Sequence, residues 1–309
     1  MTLPDDLGTV VAVVGPTASG KSDLALDLAE RLAGEVVNAD AMQLYRGMDV
    51  GTAKLPPKER RGIPHHQLDV LAVTQEATVA AYQAASRADI AAIRGRGRTP
   101  LLVGGSGLYV RAALDRLDIP PTDPAVRAEL EAESERAGAA AMYERLREVD
   151  PAAAAQIQPA NVRRVVRALE VIRLTGRPFS ASMPIREFVS PTVMLGLRVA
   201  REVLDERIDR RTARMFHDGL VDEVKALLAH GLRDGVTASR AIGYSQAIAV
   251  LDGATSIEEA IEDTAQATRR YARRQESWFR PDPRITWLDA TDGNRDRLVE
   301  RALEAIAAA

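Results

Sequence analysis

Continuous apolar runs alternate along this chain with stretches in which leucine and alanine recur among charges. The run TVVAVVG (9–15) is β-branched and carries no charge, the pattern of a parallel strand buried on both faces. A glycine-rich loop and then KSDLALDLAERLAG (21–34) follow. There Leu24, Leu26, Leu28, Ala29 and Leu32 interleave with charges, which predicts a helix stopped by Gly34. EVVNAD (35–40), TPLLVGG (99–105), TVMLGLRV (192–199) and RITWLDA (284–290) predict four further strands. Strands separated by helical stretches predict an α/β fold, a doubly wound, mostly parallel sheet.

Between about 118 and 189 the pattern offers no buried strand. It runs instead as PTDPAVRAELEAESERAGAAAMYERLREVDPAAAAQIQPANVRRVVRALEVIRLTG (121–176). Asp123 followed by Pro124 is a helix start, a cap with proline at the first helical position. Gly138 and Gly176 punctuate, and Pro151 can open another helix. The expected organisation is a core of 1–117 and 190–309 with a helical domain, 118–189, inserted between sheet strands.

The loop between the first strand and helix reads GPTASGKS. Gly15, Gly20, Lys21 and Ser22 satisfy the spacing of a P-loop, and they do so in the required strand–loop–helix context. Backbone N–H groups of Gly15, Pro16 excepted, Thr17, Ala18, Ser19 and Gly20 can face a phosphate, and the helix start adds partial positive charge. Lys21 can neutralise phosphate oxygens and Ser22 can offer its hydroxyl to Mg²⁺. A nucleoside triphosphate is the default occupant of such a loop. Yet TPLLVGG runs into SGLYV, without the strand-end acid that usually orients Mg²⁺ in a P-loop hydrolase. The acid at this edge is Asp40, which closes the second strand where ligands of open α/β sheets bind. Its position allows three roles: contact with a metal-bound water, general base, or cap of the following turn. Thr52 and Lys54 in GMDVGTAK (47–54) could serve a phosphate or lie in a solvated loop.

Net charge is −3, so a polyanionic partner would need local basic patches. Two exist. RRVVRALEVIR (163–173) lies in the insertion, and RRYARRQESWFR (269–280) interleaves arginines with Tyr271, Trp278 and Phe279. Guanidinium groups pair with phosphates while aromatics stack on unpaired bases, the combination used on single-stranded RNA; a solvated basic helix face has the same pattern. The chain has no cysteine, which excludes disulfides, thiol catalysis and cysteine-bound zinc. Adjacent His65 and His66 suit a metal poorly because neighbouring side chains diverge, and His217 and His230 are expected at the surface. No apolar run reaches membrane-spanning length, and the acidic start does not resemble a signal peptide; the expectation is a cytoplasmic, monomeric protein.

In their order, GPTASGKS, NADAMQLYRGMDVGTAK, LLVGGSGLY, RRVVRALEV, SRAIGYSQ and RRQESWFR closely resemble the bacterial tRNA dimethylallyltransferases, from about residue 10 to 290. The resemblance implies transfer of a dimethylallyl group from dimethylallyl diphosphate to the exocyclic amine of the adenosine 3′ of the tRNA anticodon. Diphosphate leaves and Mg²⁺ is required. It implies that Gly15, Pro16, Thr17, Ala18, Ser19, Gly20, Lys21 and Ser22 grip the diphosphate, with Ser22 on the metal. Asp40 would be the general base, with Ser106 near the reacting centre and Arg211 on the leaving group. The tRNA surface would comprise Asp40, Ala41, Met42, Gln43, Ser106, Arg127, Arg163, Arg164 and Arg167. It would continue through Arg240, Gly243, Tyr244, Arg273, Arg274, Gln275, Trp278 and Arg280. The target base would be flipped into a channel.

The sequence departs from the family pattern in four places: Ala41 where Ser is common, PAN (159–161) for PND, Ser245 where a basic residue often stands, and Leu55 after GTAK. Three competing readings remain: an adenylate isopentenyltransferase acting on a free nucleotide, a small-molecule P-loop kinase, and a non-catalytic nucleotide switch or RNA-binding module.

Overall fold

The computed structural model describes residues 8–182 and 186–309. Its six strands form one wholly parallel sheet: β1 (Val10–Val14), β2 (Gly34–Asn38), β3 (His65–His66), β4 (Thr99–Gly104), β5 (Thr192–Arg198) and β6 (Ile285–Asp289). They lie in the order β3-β2-β4-β1-β5-β6. All five expected strands match within two residues at each end, and β2 differs most, stopping before Ala39 and Asp40. The two-residue β3 has no counterpart in the sequence reading, because a pair of histidines carries no strand periodicity.

In chain order the first helices are α1 (Lys21–Arg31), α2 (Val79–Gly95) and α3 (Gly107–Leu114). The insertion holds α4 (Pro124–Ala137), α5 (Ala139–Val149), α6 (Pro151–Ala154) and α7 (Val162–Thr175). Then come α8 (Arg201–His217), α9 (Leu220–Leu228), α10 (Tyr244–Leu251), α11 (Ile257–Phe279) and α12 (Arg295–Ala307). Every residue of β1 is buried, as its unbroken apolar run requires. Val11 and Val13 pack with Leu24 and Leu28 of α1 and with Val299 and Ala302 of α12. Helix α2 covers β2 and β4, burying Tyr82, Ile90 and Ile93. Helix α12, which the sequence reading did not assign, is opened by Asn294, whose side chain accepts from Arg297 N.

Gly34 does not stop α1. The helix ends at Arg31, the left-handed turn falls on Ala33 (φ 48°), and Gly34 begins β2. Its glycine is steric: a Cβ there would stand 2.1 Å from Leu101 Cδ1 and 2.8 Å from Thr99 O.

The chain divides into two compact units. The larger contains the sheet, in the described residues through Leu114 and from Phe188 onward; the smaller is Asp115–Glu187, against the expected 118–189. Within the smaller unit, Asp123 accepts from Ala125 N and Val126 N, and Gly138 and Gly176 end helices as their positive φ allows. Leu130, Met142, Leu146, Val165, Val166 and Leu169 form its own core.

At its centre Glu170 is fully buried and accepts from Arg127, Arg167 and the Asp123 backbone N–H at 2.7–3.3 Å. Burial alone would raise this carboxyl, but the bonds from Arg127 and Arg167 outweigh it and hold the group below its ordinary 4.5. A depressed carboxylate contributes stability that is complete above about pH 4.5 and is lost as pH falls through the folded-state value. Glu170→Gln should therefore destabilise this unit by about 1–3 kcal/mol, the usual worth of hydrogen bonds to a buried charge. Amide exchange in α4 and α7 should accelerate in the variant at pH 7, and the difference from wild type should shrink on acidification.

Candidate active site

The carboxyl ends of β1, β2 and β4 converge, and two glycines let them do so. A Cβ on Gly104 would lie 2.3 Å from Ala39 O, and one on Gly105 would lie 3.0 Å from Gly15 O and 2.1 Å from Gln275 Nε2. The end of β4 thus touches the P-loop on one side and the approach to Asp40 on the other. A cavity of about 690 Å³ opens here, lined by the P-loop from Thr17 to Ser22 together with Asp40, Gln43 and Arg211.

Within the loop Gly15 (φ 144°) and Gly20 (φ 92°) adopt backbone that other residues rarely hold, and Ala18 does so at φ 61°. Lys21 turns back to donate to Pro16 O at 2.6 Å. The Ser19 hydroxyl is buried without a hydrogen-bond partner, a costly arrangement unless a ligand supplies one. Burial lowers Lys21 to about 8; the charge of Asp40 opposes that shift and Arg211 adds to it. Arg211 is likewise lowered by burial and supported by Asp40. The three residues assigned to leaving-group and proton chemistry are thus electrostatically coupled in one cavity, although nothing local in the sequence singled out Arg211.

Asp40 sits in a tight clasp. Asn38 Oδ1 accepts from Asp40 N at 3.0 Å, and Asn38 Nδ2 donates to the carbonyls of Asp40 and Gln67. Asp40 Oδ1 accepts from Met42 N at 2.9 Å. It therefore caps the following turn and also faces the cavity; the roles are not exclusive. Ser106 Oγ accepts from Ala41 N at 3.2 Å, so Ser106 fixes the backbone beside Asp40. Asn38 was not singled out from sequence, although an Asn two residues before an Asp at a strand end is an Asx-turn signal.

Thr52 and Lys54 do not serve a phosphate, and neither lies in a solvated loop. Lys54 is buried, and all three ammonium donors are spent, on Asp49, Asp69 and Tyr45 O at 2.6–2.8 Å. Thr52 donates to Met48 O, while its own carbonyl accepts from Gln43 Nε2 at 3.1 Å. The backbone N–H groups of Asp49, Val50 and Gly51 point at the Glu223 carboxylate of α9. No spacing in the sequence links Glu223 to this loop.

The residues expected to face tRNA fall into two groups. Arg240, Arg273, Arg274 and Arg280 are exposed, and Trp278 is 47% exposed with its ring seated against Gly107. In the smaller unit Arg163 and Arg164 are also exposed. Others turn inward. Gln275 is buried, accepting from Thr17 N at 2.8 Å and donating to Gly105 O at 3.0 Å. Tyr244 is fully buried and donates to Glu223 at 2.6 Å, and Gly243 is buried at the start of α10. Arg127 and Arg167 are engaged by Glu170, Arg167 also by the carbonyls of Pro120 and Pro121. Gln275 and Tyr244 are thus packing residues of the core, not surface contacts. The histidines take other roles: His66 Nε2 lies 2.8 Å from Glu35, His65 Nδ1 lies 2.8 Å from Ile63 O, and His217 and His230 are exposed.

A family model described as "IPP transferase" matches residues 43–282. The chain belongs to the IPP transferase family. Among IPP transferase relatives, a tRNA dimethylallyltransferase of Nocardioides sp. is 59% identical over 97% of this chain and 96% of its own. One of Kineococcus radiotolerans is 60% identical over 96% of each. A solved tRNA isopentenylpyrophosphate transferase of Bacillus halodurans superposes with TM-score 0.72 at 43% identity, covering 97% of this chain and 96% of that one. A eukaryotic dimethylallyltransferase acting on tRNA superposes at 0.82 with 29% identity, covering 96% and 77%.

Lys21 makes the cradle's affinity depend on pH. Below about 8 the ammonium is charged; above it the buried amine releases its proton, which a bound anion would call back. Inorganic pyrophosphate should therefore bind with falling affinity above pH 8, and calorimetry should show proton uptake on binding in that range. Lys21→Met should bind more weakly at pH 7, and its ratio to wild type should narrow toward pH 9.5. In the ligand-free chain the sign is opposite for folding. The unfolded amine keeps its proton to about 10.5, so stability rises between pH 8 and 10.5 as the folded state escapes a buried charge.

Proposed function

We propose that this chain transfers a dimethylallyl group from dimethylallyl diphosphate to the N6 amine of the adenosine immediately 3′ of a tRNA anticodon, releasing diphosphate. It would act as a cytoplasmic monomer; among the described residues no helix is long and apolar enough to cross a membrane. The observation that carries the reading is the coupling of Lys21, Asp40 and Arg211 in the cavity that the P-loop opens. Family membership and relatives named for this reaction support it.

An adenine amine is a weak nucleophile because its lone pair is delocalised into the ring. As its nitrogen bonds to the allylic carbon, the carbon–oxygen bond to diphosphate breaks and the nitrogen's proton becomes acidic. Asp40 accepts that proton, held in place by Asn38 and by Met42 N. The leaving oxygen gains negative charge, which Lys21, Arg211 and the loop's N–H groups stabilise in a partly desolvated site. The unpartnered Ser19 hydroxyl is a further donor for it. Among the described residues no group of three histidines, cysteines or carboxylates could cage a metal. What the chain offers is the exposed Ser22 hydroxyl at the start of α1, which fits Mg²⁺ carried on diphosphate oxygens. When bound, Mg²⁺ would supply positive charge to the departing diphosphate.

The test is transfer of labelled dimethylallyl diphosphate to an anticodon stem-loop with Mg²⁺. Asp40→Asn retains an oxygen for Met42 N but cannot take a proton, so label incorporation should fall by about 10²–10⁴-fold with the fold intact. Full activity in the variant would remove Asp40 as the base. Wild-type label going to free AMP, or phosphate from ATP to a small acceptor, would replace the reading with the isopentenyltransferase or kinase alternative.

A further inference from the structure

The segment beyond Asp40 is fastened from outside the cavity by one carboxylate. Glu223, half-buried on α9, accepts from three successive backbone N–H groups: Asp49 at 3.0 Å, Val50 at 2.7 Å and Gly51 at 3.3 Å. Tyr244 Oη donates to the same carboxylate at 2.6 Å, and its ring lies so close to Gly51 that a Cβ there would stand 2.5 Å from it. Successive N–H groups form a concavity that takes an anion, and here the chain supplies its own. The next residue, Thr52, is buried, and its carbonyl accepts from Gln43 Nε2 at 3.1 Å. Gln43 and Asp40 line the same cavity; Glu223 does not.

A glutamine amide can present either a donor or an acceptor edge. A backbone carbonyl only accepts, so Thr52 takes the NH₂ of Gln43 and leaves the amide oxygen without a hydrogen-bond partner among the described residues. We propose that Glu223 is a positioning residue for acceptor choice: by holding the segment that ends in Thr52, it fixes the polarity of the Gln43 amide. This rests on the tRNA reading above. An adenine amine has two N–H bonds, one for the Gln43 oxygen and one for Asp40. A base with a 6-oxo group would set its oxygen against the amide oxygen, two acceptors with no proton between them. Without the Glu223 carboxylate, three N–H groups lose their acceptor and Thr52 loses its anchor. Gln43 is then free to turn its NH₂ toward a carbonyl, and the distinction between the two bases is lost. Glu223 touches neither substrate in this scheme; it acts only through Gln43.

The experiment measures, by fluorescence anisotropy, binding of the full chain to anticodon stem-loops that differ only in the target base: adenine or hypoxanthine. Wild type should prefer adenine by about tenfold or more, as a site does when the wrong group leaves polar atoms unpaired. Glu223→Gln keeps the shape but offers one acceptor oxygen in place of two. Its preference should fall to within about twofold of unity. In a Gln43→Met background the same substitution should change the preference no further, because both act through one amide. Glu223→Asp retains the charge but draws it back by one carbon, and it should lower the preference if Glu223→Gln fails to fold. A merely structural glutamate would weaken both stem-loops equally or act independently of Gln43, and either result would overturn the proposal. A wild-type preference of one, with the dimethylallyl group still transferred to the adenine stem-loop, would overturn it and leave the tRNA reading intact. Failure of wild type to bind either stem-loop would remove both.

Discussion

Two half-buried cations, Lys21 and Arg211, share the cavity beyond the end of β1, with Asp40 as the carboxylate that opposes them. Desolvated charge is costly unless matched, and one carboxylate does not match two cations. The site is left short of negative charge. Lys21 meets part of its need by donating to Pro16 O, and the Ser19 hydroxyl remains a buried group without a partner. A diphosphate corrects both deficits at once. Much of the surrounding structure serves to keep this unmatched arrangement in place: Asn38 clasps Asp40, Gln275 spans the loop and β4, and Glu223 ties down the segment that carries Thr52.

The same constraint explains a feature that the sequence posed as a gap. A P-loop hydrolase carries an acid at a strand end to aim its metal, and here that strand end is glycine. The geometry gives a reason independent of metal chemistry. Gly104 lies against Ala39 O and Gly105 against Gly15 O and Gln275, so any side chain there would force the three strand ends apart. Space that an acid would occupy is used to bring the phosphate loop and Asp40 into one cavity. This suits a reaction in which the group leaving is the diphosphate and the proton to be removed lies on the acceptor.

What could be read from the sequence was local. β1 and the P-loop were legible because apolar continuity and glycine spacing act over a few residues, and Asp123–Pro124 because a cap is a local device. Hidden features depend on contacts across the chain. Lys54 allowed a phosphate contact or a solvated loop until the fold brought Asp69 to it, and Gln275 looked like part of a basic RNA-facing helix until its side chain met Thr17 and Gly105. Arg211 is one of several arginines on α8, and only packing distinguishes the half-buried one whose charge meets that of Asp40 in the cavity. Tyr244 opens α10 and fills the core around Tyr45 and Leu220, a choice of surroundings that its neighbours in sequence do not encode.

The departures from the family pattern can be weighed on the same footing. Ala41 removes a hydroxyl beside the proposed base, yet the backbone at that point is held by its N–H to Ser106 Oγ and by Asn38 on the preceding residue. Placement of Asp40 therefore does not need a side chain at 41. Ser245 is exposed at the start of α10 and spends its hydroxyl on Gln246 at 2.9 Å, and Ala160 is exposed in the smaller unit. The basic group absent at 245 weakens a screened, long-range attraction and leaves the charges in the cavity untouched. The change at 245 thus bears on how a polyanion is attracted. The chemistry rests on residues whose partners lie inside the fold, and these are the ones the chain retains.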